Sequence, residues 1–235
     1  MTTLDEAKRM IVEANRVLAH QKVVDAFGHV SMRHPEDPTK FLLARSLSPA
    51  DVEAEDIMTF DLDGTVVGDD DRKPYVERFI HGAVFEAQPE TNSVVHNHAY
   101  ELLPFSVSKT PLRPILHTAG VIGPLVPIWD IHDKFGDTNM LVSSIEQGRD
   151  FAKTMGNNNT ALMRGHGGVV SGTDTISAVL TAIYLMINAE ALYKALQLGE
   201  VTYLTPGETE LTVEGLIGPL AAQRAWAYLL RQAGC

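Results

Sequence analysis

The stretch TISAVLTAIYLMINA, Thr175 to Ala189, carries no charged side chain, and it restricts the fold more than any other segment. A helix that is apolar all round must be covered all round, by lipid or by protein. The run is about five residues short of the ~20 that a bilayer requires, so it reads as a core helix, reaching from Thr175 to about Leu198 before Gly199. With 45% hydrophobic and 21% charged residues in a chain of 235, roughly 70% of the unfolded surface can be buried around it.

Charge and cysteine content remove several classes of function. A net charge of -11, from 19 Lys+Arg against 30 Asp+Glu, repels a phosphate backbone, and no basic stripe reverses this locally, so nucleic acid is not an expected partner. The one cysteine is Cys235, which excludes an intramolecular disulfide and thiolate-held zinc. The opening MTTLDEAKRM carries Asp5 and Glu6 and lacks the apolar stretch of a secretory signal, so a cytoplasmic protein with no membrane association is expected.

Helical spacing of Leu4, Ala7, Ile11, Ala14, Val17 and Leu18 predicts an amphipathic first helix, with Thr3 and Glu6 forming a capping box. Phe27 to Arg33 and Phe41 to Ala44 read as strands, and Asp56 to Val67 as a hairpin turning at Asp63-Gly64. Pro74 to Ala87 returns to helical spacing, with Val76, Phe79, Ile80, Ala83 and Val84 on the apolar face and Glu77 and His81 on the other. Ser93 to His98 reads as a strand with a helix after it to about Val107, and strands are expected near Pro114 to His117 and Leu125 to Ile128. A helix then opens at Ser143, with Glu146 at capping-box spacing, and ends at Asn157 to Asn159. Ala161 to Met163 and Val169 to Val170 flank a glycine-rich turn, and Ala221 to Gln232 forms a last helix. Without a repeat or a linker, residues 1–235 are expected to form a single α/β domain.

The chemistry concentrates on histidine and one carboxylate. In Val94-Val95-His96-Asn97-His98 the two imidazoles stand at i and i+2 of a strand and so share a face, where they can share a metal or simply pack. His166, between Gly165 and Gly167, is free for close approach by another segment and can supply a third ligand. Glu77 lies on a short helix leading into the His96 strand. Three imidazoles and one carboxylate suit Zn2+, Mn2+ or Co2+ and leave room for water or substrate oxygens. A competing motif, Phe60-Asp61-Leu62-Asp63-Gly64-Thr65, matches the nucleophile signature of haloacid-dehalogenase-type phosphatases. That motif belongs at the end of a buried strand in a Rossmann-like sheet, whereas Val66-Val67 answer Ile57 to Phe60 in hairpin style, so the phosphatase is set aside.

Five landmarks in order, Gly28-His29-Val30-Ser31, Asp61-Leu62-Asp63-Gly64, Glu77 ahead of His81, His96-Asn97-His98 and Arg164-Gly165-His166-Gly167, resemble the class II aldolase/adducin family over nearly the whole chain. The resemblance implies a three-layer α/β/α fold with a central, mainly antiparallel sheet. It also implies one divalent ion per subunit on His96, His98 and His166, with Glu77 as acid/base and additional ligand. Members commonly form homotetramers with active sites between subunits, to which a neighbour's C-terminal segment can contribute.

Sugar-phosphate aldolases of this family carry Asn after the first glycine and a Thr-Pro-Ser-Gly-like phosphate loop. Here His29 follows Gly28, the loop is Ala44-Arg45-Ser46-Leu47-Ser48-Pro49, and Tyr75-Val76 replaces a serine pair before the glutamate. An imidazole and a guanidinium suit carboxylates. Gly28, His29, Arg45, Ser46 and His117 are the expected substrate-binding residues, with His117 alternatively a hydrogen-bond partner of a metal ligand. This pattern resembles the branch that decarboxylates hydroxylated aromatic and pyridine dicarboxylates in catabolism. The expected function is a metal-dependent carbon-carbon lyase releasing carbon dioxide, with Glu77 and His29 catalytic. Aldol cleavage of a sugar or hydroxy-acid is the alternative, and a non-catalytic adducin-like scaffold the third.

Overall fold

The computed structural model describes residues 2–235. Its elements run α1 (Leu4–His20), β1 (His29–Arg33), β2 (Lys40–Ala44), β3 (Ile57–Asp61), α2 (Arg78–Ala87), β4 (Ser93–Asn97), α3 (Leu103–Ser106), β5 (Ile128–Trp129), α4 (His132–Phe135), α5 (Ile145–Met155), β6 (Thr160–Met163), β7 (Gly167–Gly172), α6 (Thr175–Leu198), α7 (Pro206–Ile217) and α8 (Pro219–Ala233). The strands form one seven-stranded sheet in the order β3-β2-β1-β4-β7-β6-β5. Every pairing is antiparallel except β5 with β6.

Alternation along the strands sorts the core into two faces. Val30, Val95, Leu162 and Val170 pack toward α6, α1, α7 and α8, while Phe41, Leu43, Val94, Ala161 and Val169 pack toward α2 and α5. The result is the three-layer arrangement that the resemblance implied. α1 begins as expected, with the Thr3 hydroxyl accepting from Glu6 N–H and the Glu6 carboxylate accepting from Thr3 N–H.

α6 runs from Thr175 to Leu198, 24 residues, and by length and composition alone it is long enough to cross a membrane. The uncharged run forms the first part of this helix, whose ends are those the sequence predicts. Two-thirds of its most apolar window is nevertheless buried in the protein, with Val179, Leu180, Ile183 and Leu185 against the sheet and its neighbouring helices, so no membrane is implied.

Several boundaries differ from the sequence reading, each for a local reason. The expected hairpin keeps only its first strand; Val66 meets Phe60 in a single bridge. β3 is an edge strand pairing only with β2, which leaves Asp61 without the buried central position a phosphatase nucleophile needs. α2 starts at Arg78, so Val76 precedes the helix and is exposed, while His81, assigned to a polar side, is fully enclosed. The segment at Pro114 to His117 makes no strand; its backbone bonds elsewhere, Ile115 N–H donating to Asn188 Oδ1 of α6 and Pro114 O accepting from Leu204 N–H, while Asn188 Nδ2 donates to the preceding Arg113 O. α7 was not anticipated, and the segment after His98 forms only a turn and the short α3.

The cap of α5 is Ser144 rather than Ser143, its hydroxyl accepting from Gln147 N–H. Ser144→Ala is therefore expected to cost about 1 kcal/mol, lowering Tm by roughly 2–4 °C for a chain of this size. Ser143→Ala should cost clearly less, and thermal unfolding of the two variants checks the order.

Candidate metal centre

The period-2 rule places His29 and Ser31 of β1 and His96 of β4 on the sheet face that carries α2. The register pairs His29 with His96 directly. Gly28, just before β1, has φ +97°, and a Cβ there would stand 2.7 Å from Val24 Cγ1 and 3.0 Å from the His96 carbonyl oxygen. Its lack of a side chain lets β1 close on β4, so Gly28 shapes the site through backbone contact.

Glu77, His96, His98 and His166 offer ligand atoms that all lie within 4.8 Å of one another. His98 Nε2 is 3.0 Å from His96 Nε2 and 3.0 Å from His166 Nε2. Glu77 Oε2 is 3.5 Å from both His96 Nε2 and His166 Nε2. The four come from three places: the residue before α2, the end of β4 and the β6–β7 turn.

Backbone carbonyls orient two of the rings. His96 Nδ1–H donates to Gly168 O at 3.2 Å and His166 Nδ1–H to Met140 O at 3.0 Å, so both Nε2 lone pairs turn inward. Met140 holds a positive φ of 66°, a left-handed conformation that costs roughly 1–2 kcal/mol in a non-glycine residue. Gly165 (φ +63°) shapes the turn, and a Cβ on Gly167 would lie 2.1 Å from Asn97 O, so only glycine brings His166 this close to β4. Glu77 caps no helix amide; its Oε1 accepts from Val142 N–H at 3.1 Å and Oε2 faces the imidazoles.

This donor set fits a divalent cation. Two imidazole lone pairs and a carboxylate oxygen converge beside His98 Nε2, and nitrogens about 2.1 Å from a common ion acquire spacings like the 3.0 Å between His98 Nε2 and its two neighbours. Electrostatics agree. Burial raises the Glu77 carboxyl, but the adjacent imidazoles of His166 and His96 outweigh it and hold the group well below the usual carboxylate range. His98 is pushed down to about 3 by burial and by His96 and His166. For His166, burial acts downward, but Glu77 prevails and raises it.

The remaining candidates divide. His29 is buried, its ring centroid 4.4 Å from that of Tyr75 and 5.2 Å from that of His96. Tyr75, visible in the sequence only as a departure from the family's serine pair, lies between His29 and the Ala44–Pro49 loop, its hydroxyl donating to Leu47 O. Burial raises its phenol to about 12, so it remains neutral. Arg45 Nε binds Asp56 at 2.7 Å, leaving both terminal nitrogens without a protein partner among the described residues. Ser46 is exposed and its N–H donates to Lys73 O. His117 is exposed, and among the described residues no hydrogen bond ties it to a metal-site histidine. The ring partners of His96 and His166 are Gly168 and Met140 instead.

His81, enclosed among these groups, makes stability sensitive to acid. Burial depresses its pKa from 6.5 to about 3, so between those values the unfolded chain binds the extra proton. The contribution is fully present above pH 6.5 and is lost as pH falls toward 3. Chelator-treated protein is expected to be about 2 kcal/mol less stable at pH 5 than at pH 7 from this residue alone. Urea unfolding of wild type and His81→Leu checks it, since the variant should show a flatter pH dependence.

Residues 9–193 match the family described as Class II Aldolase and Adducin N-terminal domain. The chain belongs to that family. Decarboxylase tropJ of Talaromyces stipitatus is 30% identical over 195 residues, 77% of this chain and 73% of that protein. The 3,4-dihydroxyphthalate decarboxylase of Rhodococcus jostii is 26% identical over 199 residues, 78% of each chain. The structure of L-fuculose 1-phosphate aldolase from Glaciozyma antarctica superposes with a TM-score of 0.79 at 20% identity, covering 99% of this chain and 92% of that one, a match of fold. Within the class II aldolase family the protein falls with relatives named as decarboxylases, and it is an enzyme of the lyase class. Family members use a divalent metal, and Glu77, His96, His98 and His166 form the possible site for it.

Proposed function

We propose that the protein is a divalent-metal-dependent decarboxylase of a hydroxylated aromatic or pyridine dicarboxylate. The observation that carries the reading is a four-donor cluster adjoining buried His29, with Arg45 rather than a phosphate cradle on the neighbouring loop, in a chain similar to proteins named as decarboxylases. Glu77, His96, His98 and His166 would hold the ion, with Mn2+, Zn2+ and Co2+ all compatible with the donors. When bound, the ion supplies Lewis acidity that stabilises negative charge on the substrate's oxygens.

The chain's own groups then have distinct tasks. Arg45 binds one carboxylate through its two terminal nitrogens, and His29 binds a second oxygen. Glu77 Oε2 takes the ring hydroxyl's proton and delivers it to the ring carbon bearing the departing carboxylate, whose carbon-carbon bond breaks to release carbon dioxide. The phenolate recovers a proton from solvent, so one proton is consumed per carbon dioxide. Gly28 brings β1 close enough for His29 to take part, and Ser46 follows Arg45 on the same loop.

With Mn2+ or Zn2+ added, 3,4-dihydroxyphthalate and a hydroxypyridine dicarboxylate are the substrates of first choice, and carbon dioxide release is the expected result. Turnover of a sugar phosphate with no carbon dioxide from any di-acid would replace this reading with aldol cleavage. Absence of stoichiometric metal after non-chelating purification would favour a scaffold.

A homo-oligomer with shared sites is part of the same proposal. Phe27, Tyr100 and Val107 are 66%, 74% and 62% exposed, and Phe27 neighbours the His98 ring at 6.3 Å, an apolar rim suited to cover by a second copy. Light scattering should give a mass that is a multiple of the chain; a monomer at working concentration would remove the shared site.

A further inference from the structure

Behind the metal donors lies a buried chain of three side chains, of which the reaction above uses only the last. His81, on the sheet-facing side of α2, is fully enclosed. Its Nδ1 is 2.6 Å from Ser31 Oγ, and its Nε2 is 2.6 Å from His29 Nδ1. The chain ends at His29 Nε2, which has no protein partner among the described residues. It is not one of the fully enclosed polar atoms left unpaired, namely Asn15 Oδ1, Asn97 Nδ2, Thr175 Oγ1 and Thr209 Oγ1. It therefore keeps access to solvent, beside the His96 ring.

Counting hydrogens gives this chain a direction. Among the described residues no carboxylate bonds to His29 or His81, and burial favours the neutral imidazole, so each ring carries one N–H. Suppose His29 held its hydrogen on Nδ1. It would donate to His81 Nε2, His81 would donate from Nδ1 to Ser31 Oγ, and the Ser31 hydroxyl hydrogen would need an acceptor of its own. Ser31 is fully enclosed and, among the described residues, its Oγ bonds only to His81. That order strands a donor in the interior, which buried hydroxyls avoid. In the reverse order Ser31 donates to His81 Nδ1, His81 Nε2–H donates to His29 Nδ1, and His29 carries its hydrogen on Nε2. Every enclosed hydrogen then has an acceptor.

We propose that Ser31 and His81 are positioning residues that lock His29 as a donor through Nε2, aimed at an anionic substrate oxygen, and keep it from accepting a proton there. The place of the substrate rests on the metal-site reading above; the order of hydrogens does not. A neutral N–H suits a carboxylate oxygen and stays in place as charge moves. Proton transfer is thereby left to Glu77.

The test uses the full chain labelled with 15N at histidine and loaded with Zn2+. His29 is expected to show a pyrrole-type Nε2 and a pyridine-type Nδ1, identified by their loss in His29→Gln. In Ser31→Ala the lock is gone, and both His29 nitrogens should move toward intermediate shifts. Titration with phthalate should then bind about tenfold more weakly, with Ser31→Thr restoring affinity and zinc content unchanged in both variants. A pyridine-type Nε2 in the wild type overturns the proposal, as do unaltered His29 resonances in Ser31→Ala. A protonated Nε2 in a protein that releases no carbon dioxide from any di-acid would sink the decarboxylase reading and leave this one standing.

Discussion

Replacing His166 with alanine is expected to weaken metal binding at least 10²-fold and to lower turnover on the order of 10³-fold or more, while the fold survives. Removing a mere hydrogen-bond partner of a ligand typically costs 10–100-fold in metal affinity or activity, and losing the ligand itself exceeds that. The rate loss follows from the several kcal/mol of charge stabilisation that a bound ion supplies. The fold survives because His166 occupies a turn between β6 and β7, outside the apolar clusters around Phe41, Phe151 and Leu185. Metal content by elemental analysis, turnover and thermal unfolding check the three parts separately. Global unfolding would mean that the cluster is a structural site.

Glu77→Gln should leave metal largely bound and slow the reaction by about 10²–10⁴-fold, the usual range for loss of a proton-transfer group. The amide oxygen can still accept from Val142 N–H, as Glu77 Oε1 does, so the side chain keeps its place while losing its proton affinity. The three imidazoles are untouched. Single-turnover kinetics with metal quantified in the same sample separate this outcome from metal loss, and near-normal turnover would remove Glu77 from proton transfer.

What the sequence reveals of this site depends on whether the contacts are made by side chains in periodic elements. His96 and His98 were legible because strand alternation puts i and i+2 together, and His166 because glycines flank it. The carbonyls of Gly168 and Met140 and the Val142 N–H, which orient the ligands, are backbone groups with no residue-type signature. Tyr75 was visible only as a departure from a family pattern, and its contact with His29 depends on how the chain enters α2. His81 was misplaced because a helix drawn through Pro74 to Ala87 puts Val76 in the apolar stripe and histidine opposite, whereas α2 begins after Glu77 and is buried nearly all round. α6 and α1 declared themselves through an uncharged run and a capping box. α7 did not, since Thr209 and Leu216 are its only buried residues and leave no stripe to read.

All seven strands precede α6 in the chain. During synthesis the greasiest segment therefore leaves the ribosome only after the surface that receives it has been made, and its residence in water as an uncovered rod is short. Any rearrangement of the gene that moved α6 ahead of β1 would invert that schedule and offer the helix to chaperones and membranes before its own sheet.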